Sequence, residues 1–320
     1  MTRPARPEPL ATPEEGPITG PLFMVGCART GSTLLRHILN RSPAISMASE
    51  THFMQWARRH RLERRLAGVR AASDASALRD LVDRLFRPDF WVWLGRNVTR
   101  EELEARLRST DLTERAVFET LLELYAERRG GLPRGRGLLG EKTPAHLRDV
   151  PRLNEWFPTA RFIHTFRDPR GIYLSELRRM KQGRWGPKAR LPWIPGAILE
   201  PLLAPIEALS TTVAWHRAAR LHRRYEGLLG ERYRLVRFED LVASPEQEVR
   251  AICEFIDVPF DPSMLEGIDV VGSSFEERRH AASGIDQRTA GRWRHELNPL
   301  VRTWFSMALG RQLGRFGYRA

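Results

Sequence analysis

Short apolar runs bounded by turn residues recur along the chain in the manner of buried parallel strands. Five such runs predict β-strands, at Leu22 to Gly26, Ala44 to Ala48, Gly137 to Gly140, Arg161 to Phe166 and Tyr233 to Phe238. Helical patterns follow most of them, directly after the first strand over Thr33 to Asn40 and directly after the fourth over Pro169 to Lys181. Strands that alternate with helices predict a doubly wound α/β fold, in which helices cover both faces of a parallel sheet.

A long helical region, about residues 55–130, separates the second and third predicted strands. Thr99 with Glu102 predicts a capping box inside this insertion, and Ser244 with Gln247 predicts another before the helix that follows the fifth strand. Residues 183–205 contain two tryptophans and many prolines, which predicts an irregular segment. That segment is either a lid or a packed loop.

The length and composition of the chain bound its domain organisation. With 320 residues, of which 42% are hydrophobic, the chain is long enough to bury a substantial core, and we expect a single domain over residues 21–320. Residues 1–20 contain proline, acid and threonine without the apolar stretch of a signal peptide, so we expect a flexible tail and a cytoplasmic protein.

The formal charge of +13 would suit nucleic acid, an anionic membrane surface or a polyanionic substrate. Only three lysines are present, Lys142, Lys181 and Lys188, so nearly all the positive charge is arginine. An arginine-biased genome would produce the same excess, and charge alone does not distinguish these interpretations.

The two cysteines, Cys27 and Cys253, form neither a disulfide framework nor a metal-binding spacing. Cys253 lies in the apolar pattern AICEFI, which predicts a core position. Cys27 precedes a predicted helix start, where a thiol can be acidified, but no base is paired with it in the sequence. We therefore expect Cys27 to be a small spacer in its loop.

The segment PLFMVGCARTGST predicts a phosphate-binding loop between a strand and a helix. Gly26 and Gly31 allow the backbone to turn tightly, and the N–H groups at the helix start, aided by the helix dipole, bind phosphate oxygens. Ser32 stands where the triphosphate-binding pattern GxxxxGK[ST] has its lysine, and Arg29 lies inside the loop instead. This difference argues against an ATPase or a GTPase. The predicted contacts to the bound phosphate group are Gly26, Cys27, Ala28, Arg29, Thr30, Gly31, Ser32 and Thr33.

A second anion site is predicted around the fourth strand, in ARFIHTFRDPRGIYLSELRRMK. Arg167 ends the strand, and Ser175 lies eight residues further on, about two turns along the following helix. An arginine fork and a hydroxyl that converge at a helix start suit a second phosphate.

The two motifs together resemble the sulfotransferases that use 3'-phosphoadenosine 5'-phosphosulfate (PAPS). GCARTGSTLLR resembles their 5'-phosphosulfate loop, and RDPRGIYLS resembles their 3'-phosphate motif. SETHF, GEKTP, VRFEDLV and a late GRW extend the resemblance over most of residues 21–295. The chain is most similar to bacterial sulfotransferases related to tyrosylprotein sulfotransferases, which carry arginine in the loop where cytosolic sulfotransferases carry lysine. The resemblance implies a P-loop-like three-layer fold with a central parallel sheet of about five strands.

The resemblance also implies catalytic roles. Sulfuryl transfer needs an acceptor base and cations on the leaving phosphate. Related enzymes use a glutamate from the second strand end, which points to Glu50, and His52 is the alternative base. Lys142 would neutralise the oxygen that bridges sulfur and phosphorus, and Arg29 would share that work. Purely structural roles for Glu50, as an ion-pair partner, and for Lys142, as a loop cap, stay open.

The late segment GIDQRTAGRWR is expected to form a loop over the nucleotide. Arg292 is the candidate contact to phosphate, Trp293 the candidate contact to adenine, and Ser283 a further donor contact, although a solvated charge run is an equal alternative. Arg237 in VRFEDL is expected near the same sheet edge, whereas Glu239 and Asp240 are excluded from catalysis.

Two other classes of function compete with this prediction. A P-loop-type phosphotransferase would share the strand, loop and helix, and a noncatalytic nucleic-acid or polyanion binder would use the charge. The expected cofactor is PAPS, with 3'-phosphoadenosine 5'-phosphate (PAP) as its product, and no metal is required. The expected acceptor is a hydroxyl or an amine of a small molecule, a carbohydrate or a lipid. Nucleic acid is not expected as a partner, contact with a membrane surface stays open, and the sequence leaves the oligomeric state undefined.

Overall fold

The computed structural model describes residues 20–72, 75–86, 97–132, 137–181, 196–268 and 285–319. Its strands are β1 (Leu22–Gly26), β2 (Ile45–Ala48), β3 (Leu138–Lys142), β4 (Arg161–Phe166) and β5 (Tyr233–Arg237). All five pair in parallel in the order β2-β3-β1-β4-β5. The predicted α/β class and the five strand positions are therefore confirmed.

The first strand lies at the centre of the sheet, and its side chains divide between two buried clusters. Phe23 and Val25 point into the larger cluster, whereas Leu22 and Met24 point into the other. A strand that is buried on both faces needs apolar residues at every position, which is why LFMVG is continuous rather than alternating. The result is a sheet between two layers of helices.

The chain moves from β1 to β2 and β3 on one side, and then to β4 and β5 on the other side. Ligands of open α/β sheets bind at such a reversal, beyond the carboxyl ends of the strands. The loop after β1 and the ends of β3 and β4 meet at this edge, with Gly26 paired to Thr165 and Met24 paired to Lys142.

The helices are numbered along the chain. They are α1 (Ser32–Leu39), α2 (Phe53–His60), α3 (Leu62–Ala72), α4 (Ala75–Leu85), α5 (Arg100–Leu107), α6 (Glu114–Arg128), α7 (Val150–Trp156), α8 (Pro169–Lys181), α9 (Gly196–Leu229), α10 (Phe238–Ala243), α11 (Pro245–Ile256), α12 (Trp293–Glu296) and α13 (Pro299–Arg315). Short 3₁₀ turns occupy Pro144–Arg148, Gly230–Arg232, Pro262–Leu265 and Gln287–Ala290. Helices α2 to α6 lie where the insertion was predicted.

Helix capping agrees with the sequence at one site and not at the other. At α5, Thr99 accepts from the Glu102 N–H and the Glu102 side chain accepts from the Thr99 N–H, which confirms that capping box. At α11 the Ser244 side chain makes no capping hydrogen bond, so the second predicted box is wrong. Ser244 has φ −137° and ψ 66°, and it already ends α10, whose geometry sets its backbone.

The segment 183–205 is only partly described, and its described part is regular. Residues 182–195 lie outside the described residues, and residues from 196 onward belong to α9. The prediction of an irregular segment was therefore wrong for 196–205, because Pro201 and Pro205 lie inside the helix. Both prolines are exposed, where water can satisfy the carbonyl groups that lose a helical partner.

Candidate functional site

The loop after β1 has a backbone that few side chains tolerate. Gly26, Arg29 and Gly31 all have positive φ, at 151°, 65° and 81°. A Cβ on Gly31 would lie 2.4 Å from Cδ2 of Phe238, so this position needs glycine for space as well as for conformation. Gly31 is the N-cap of α1, and this geometry turns the loop over the helix start.

Two threonines pin this loop to the sheet. The Thr30 hydroxyl lies 2.7 Å from the Thr165 hydroxyl of β4 and donates to the Cys27 carbonyl at 2.9 Å. Both threonines are buried. Thr165 was not predicted from the sequence, although a polar residue near the end of an otherwise apolar strand was the available clue.

Arg29 projects from the loop toward α8. Its Nε donates to the Ser175 hydroxyl at 3.0 Å, while its Nη2 is buried and has no hydrogen-bond partner among the described residues. Burial lowers the pKa of Arg29, and the neighbouring Glu176 opposes this shift. The structure thus brings together the predicted loop arginine and the predicted serine of the second motif.

Arg167, at the end of β4, contacts both the loop after β1 and the 3₁₀ turn at Gln287–Ala290. It donates to the Arg29 carbonyl at 3.1 Å and to the Thr289 carbonyl at 3.0 Å, and its guanidinium lies 4.1 Å from the centre of the Phe238 ring. Its Nε is buried without a partner in the described ranges. Burial lowers the pKa of Arg167 to about 10, with Glu239 opposing the shift.

An anion would therefore stabilise this part of the site. Arg167 forms no ion pair among the described residues, because the nearby Glu239 carboxylate accepts instead from the Asp168 N–H and from the Tyr318 hydroxyl, both at 3.0 Å. The unpartnered N–H groups of Arg29 and Arg167 flank the loop after β1, and their chemistry suits negatively charged oxygens.

Glu50, Lys142 and His52 form a chain of charges at the ends of β2 and β3. Lys142 Nζ donates to Glu50 at 2.6 Å and to the Thr33 hydroxyl at 3.3 Å, and His52 Nε2 lies 3.4 Å from the other Glu50 oxygen. The Lys142 side chain is 4% exposed and that of Glu50 is 44% exposed. The Glu50 carboxylate thus faces solvent, whereas the Lys142 ammonium that pairs with it is buried.

The pKa values follow from this arrangement. Burial would raise the pKa of Glu50, but His52 and Lys142 outweigh it and lower the value to about 2. The hydrogen bond to Glu50 raises the pKa of His52, and burial lowers that of Lys142. A raised pKa keeps the imidazole protonated to higher pH, whereas the lowered pKa keeps the Glu50 carboxylate ionised at neutral pH, so the pKa shifts by themselves do not select one of the two bases.

A buried carboxylate that the sequence analysis did not single out holds the segment between Glu50 and His52. Glu141 accepts from the Thr51 N–H and hydroxyl, at 3.2 and 2.9 Å, and from the Thr143 hydroxyl. His146 Nδ1 lies 3.1 Å from its second oxygen. The position of Glu141 directly before Lys142 in a buried strand was the clue to this role.

The remaining predicted residues lie at different places. Arg237 ends β5 as expected and pairs with Asp240, and Arg292 pairs with Asp286 at 2.6 Å. Trp293 is 5% exposed, and the Arg170 guanidinium lies 3.7 Å from the centre of its ring. The ring is therefore largely shielded from solvent. Ser283 lies outside the described residues. The donor contacts assigned to these three late residues stay predictions.

The two cysteines behave differently from an activated thiol. Burial raises the pKa of Cys27 to about 12, and its Sγ lies 3.6 Å from the Ala214 carbonyl. Cys253 is buried in the cluster that includes α11, as predicted. Cys27 therefore has the environment of an unreactive spacer.

Comparison with known proteins assigns the class. The sequence model of the Sulfotransferase family matches residues 21–262, which is most of the chain. The chain belongs to this family, and its members are enzymes.

Individual relatives agree with the class at low identity. The chain is 22% identical over 252 residues to protein-tyrosine sulfotransferase A of Caenorhabditis elegans, covering 78% of this chain and 53% of the relative. It is 23% identical over 245 residues to protein-tyrosine sulfotransferase of Drosophila melanogaster, covering 76% and 39%. The chain thus spans about half or less of the curated relatives it matches.

Solved structures agree with the predicted fold. The sulfotransferase domain of the Synechococcus PCC 7002 olefin synthase matches with a TM-score of 0.57 and 19% identity, over 96% of this chain and 97% of that domain. The sulfotransferase domain of the curacin biosynthetic pathway matches with a TM-score of 0.53 and 19% identity, over 95% and 99%. The P-loop-like three-layer fold is therefore confirmed.

None of the described helices combines the length and the apolarity needed to cross a membrane. Within the same ranges, no group of three or more histidine, cysteine or acidic side chains is placed to hold a metal ion.

Proposed function

We propose that this chain transfers a sulfuryl group from PAPS to a hydroxyl or an amine of an acceptor and releases PAP. The observation that carries the proposal is the meeting of two arginines at the loop after β1: Arg29 donates to Ser175, Arg167 donates to the Arg29 carbonyl, and each keeps a buried N–H without a partner in the described ranges. A sulfotransferase that binds a nucleotide with phosphate at two positions needs two separate cationic anchors of this kind.

The residues present fit such a donor. The loop N–H groups and the start of α1 would hold the 5'-phosphosulfate, and Arg167 with Ser175 would hold the 3'-phosphate. Ser175 accepts from Arg29, and its hydroxyl proton stays available to donate to an anion. When bound, the donor supplies the sulfuryl group and a phosphate that leaves with negative charge.

Glu50 is the proposed base for the acceptor proton. Its carboxylate is ionised at neutral pH, it is 44% exposed, and it lies beside the cation that would neutralise the leaving phosphate. Lys142 donates to Glu50 and to the Thr33 hydroxyl, and these two contacts fix its ammonium at the start of α1. Arg29 would add a second positive charge from the loop.

The acceptor is proposed from its chemistry alone. A hydroxyl or an amine of a small molecule, a carbohydrate or a lipid fits a base that opens to solvent. The names of the curated relatives specify protein tyrosine as their acceptor, and a phenol is also a hydroxyl acceptor. We further propose a cytoplasmic location, catalysis without a metal, and no nucleic-acid partner.

A thermal shift experiment tests the donor assignment. PAP at 100 times its dissociation constant should stabilise the protein by about 2.7 kcal/mol, and ADP and ATP should stabilise it less. Arg167→Ala should abolish the stabilisation by PAP, whereas Arg59→Ala, an exposed arginine on α2, should keep it. Equal stabilisation by ATP would replace the proposal with a phosphotransferase, and no stabilisation by any nucleotide would overturn it.

A further inference from the structure

Helix α9 exposes a stripe of large apolar side chains. Leu202, Ile206, Leu209 and Val213 recur at helical spacing and are 65%, 64%, 53% and 59% exposed. The opposite side of the same helix packs against the core, because Trp215 is fully buried there. The outward stripe therefore contributes nothing to the core.

Helix α13 continues this stripe. Leu300, Trp304 and Met307 are 79%, 44% and 82% exposed. Trp304 Nε1 donates to the Thr212 hydroxyl of α9 at 3.0 Å, so the two stripes adjoin. We call these seven residues of α9 and α13 the apolar face. Single exposed apolar side chains are normal on soluble proteins, but a contiguous group of this size marks an interaction surface.

The apolar face ends in a cluster of arginines. The helices run side by side in the same direction, since Gln312 lies 3.0 Å from His216 and Trp304 bonds to Thr212. Their carboxyl-terminal halves therefore lie together and carry exposed arginines, namely Arg217, Arg220 and Arg223 of α9 and Arg311 and Arg315 of α13. The sequence of α13 contains no acidic residue.

A cavity of about 460 Å³ lies in this arginine-rich half. Arg223 and Arg315 line it together with Arg237, whose Nε is buried and has no partner among the described residues. Arg237 pairs with Asp240 at 3.4 Å, whereas neither Arg223 nor Arg315 forms an ion pair within the described ranges. The basic half thus presents two cations, Arg223 and Arg315, that no carboxylate of the described residues neutralises by an ion pair.

We propose that the apolar face and its arginine half dock the protein on an anionic lipid surface. The apolar side chains would enter the boundary between headgroups and acyl chains, and the arginines would bind lipid phosphates. Charge favours this occupant, because a second copy would cover the apolar side chains but would face these five exposed arginines with its own five. In the carboxyl-terminal halves of the two helices, Glu226 is the one exposed acid that it would bring. An anionic bilayer matches both halves. The inference does not depend on the proposed sulfuryl transfer.

Flotation of the full chain with lipid vesicles tests the proposal. We expect binding to vesicles of equal parts phosphatidylcholine and phosphatidylglycerol, and much weaker binding to phosphatidylcholine alone. Ile206→Gln with Met307→Gln should weaken binding by about 10-fold, because two inserted side chains are lost. Arg311→Ala with Arg315→Ala should weaken it by about 30-fold on the anionic vesicles only.

Matched variants control for general effects. Leu228→Gln removes an apolar side chain that is 50% exposed on α9 outside the apolar face, and Arg59→Ala with Arg64→Ala removes two exposed arginines elsewhere. Both should bind as the unmodified chain does. Circular dichroism and PAP-induced stabilisation should be unchanged in every variant.

Three outcomes would overturn the proposal. One is failure of the unmodified chain to bind either vesicle. Another is equal binding by the apolar-face variants and their controls. The third is a dimer in sedimentation that Ile206→Gln with Met307→Gln converts to monomer without any vesicle binding, which would assign the surface to a second copy.

Discussion

The Lys142 ammonium lies 2.6 Å from the Glu50 carboxylate across the ends of two neighbouring strands. Lys142 is buried and Glu50 is open to solvent, so the pair places a fixed cation beneath an accessible anion. The lowered pKa of Glu50, about 2, makes the carboxylate a weak base while this contact is intact. Any process that draws the ammonium away would raise the basicity of Glu50.

The first prediction separates the two candidate bases. Glu50→Gln should lower turnover by about 10² to 10⁴, because the amide cannot accept a proton, while PAP affinity changes little. His52→Asn should retain most activity, and asparagine tolerates the φ of 53° at this position. Steady-state turnover and PAP titration of both variants make the comparison. Greater loss in the histidine variant would transfer the role to His52.

The second prediction concerns the charge on Lys142. Lys142→Met should raise the pKa of Glu50 above about 2, since removal of a neighbouring cation favours the neutral carboxyl group. NMR titration of carboxyl carbons in the full chain reads this value, with Glu50→Gln to identify the resonance. Lys142→Arg keeps the charge and should leave the pKa low. An unchanged pKa of Glu50 in Lys142→Met would show that His52 alone keeps this pKa low.

The third prediction uses a glycine beside Arg167. A Cβ on Gly171 would lie 2.9 Å from Arg167 Nε, so Gly171→Ala should displace the guanidinium and weaken PAP binding by about 10-fold. Stability should not fall, because alanine favours a helix over glycine by up to about 1 kcal/mol. Gly68→Ala on α3 is the control, as nothing lies within 4 Å of the added methyl group. Unchanged PAP affinity in Gly171→Ala would argue against Arg167 as an anchor.

The fourth prediction concerns stability and pH. Burial alone would raise the pKa of Glu141, but His146 and the hydroxyls of Thr143 and Thr51 outweigh it and lower the value. A lowered folded-state pKa gives a contribution that is complete above the unfolded value of 4.5 and is lost as pH falls toward the folded value. Glu141→Gln should lower the free energy of unfolding by about 3 kcal/mol at neutral pH, and the difference from the unmodified chain should be smaller at low pH.

Urea unfolding at several pH values measures this effect. Glu101→Gln, an exposed carboxylate of α5, should change neither stability nor its pH dependence. A Glu141→Gln variant as stable as the unmodified chain at neutral pH would show that the buried network is replaceable.

The strands and the tight turn between β1 and α1 were predictable because their causes are local. A strand buried on both faces must be apolar throughout, so LFMVG is recognisable as such a strand from its sequence. A tight turn into a helix needs glycine, so Gly26 and Gly31 identify the loop. The spacing of Arg167 and Ser175 is likewise local to one strand and one helix. The family was predicted from several such motifs, which occur along this chain in the same order as in members of the family.

What only the tertiary structure decided was which distant groups meet, and whether each was buried when they met. The pairing of Arg29 with Ser175 joins residues 146 positions apart, and the Glu141 network joins β3 to the segment after β2. The regular helix through Pro201 and Pro205 and the exposed apolar face depend on packing between α9 and its neighbours. Sequence patterns report local conformational preference, whereas desolvation and charge compensation arise from contacts between remote segments, which set the pKa values of Glu50 and Arg167.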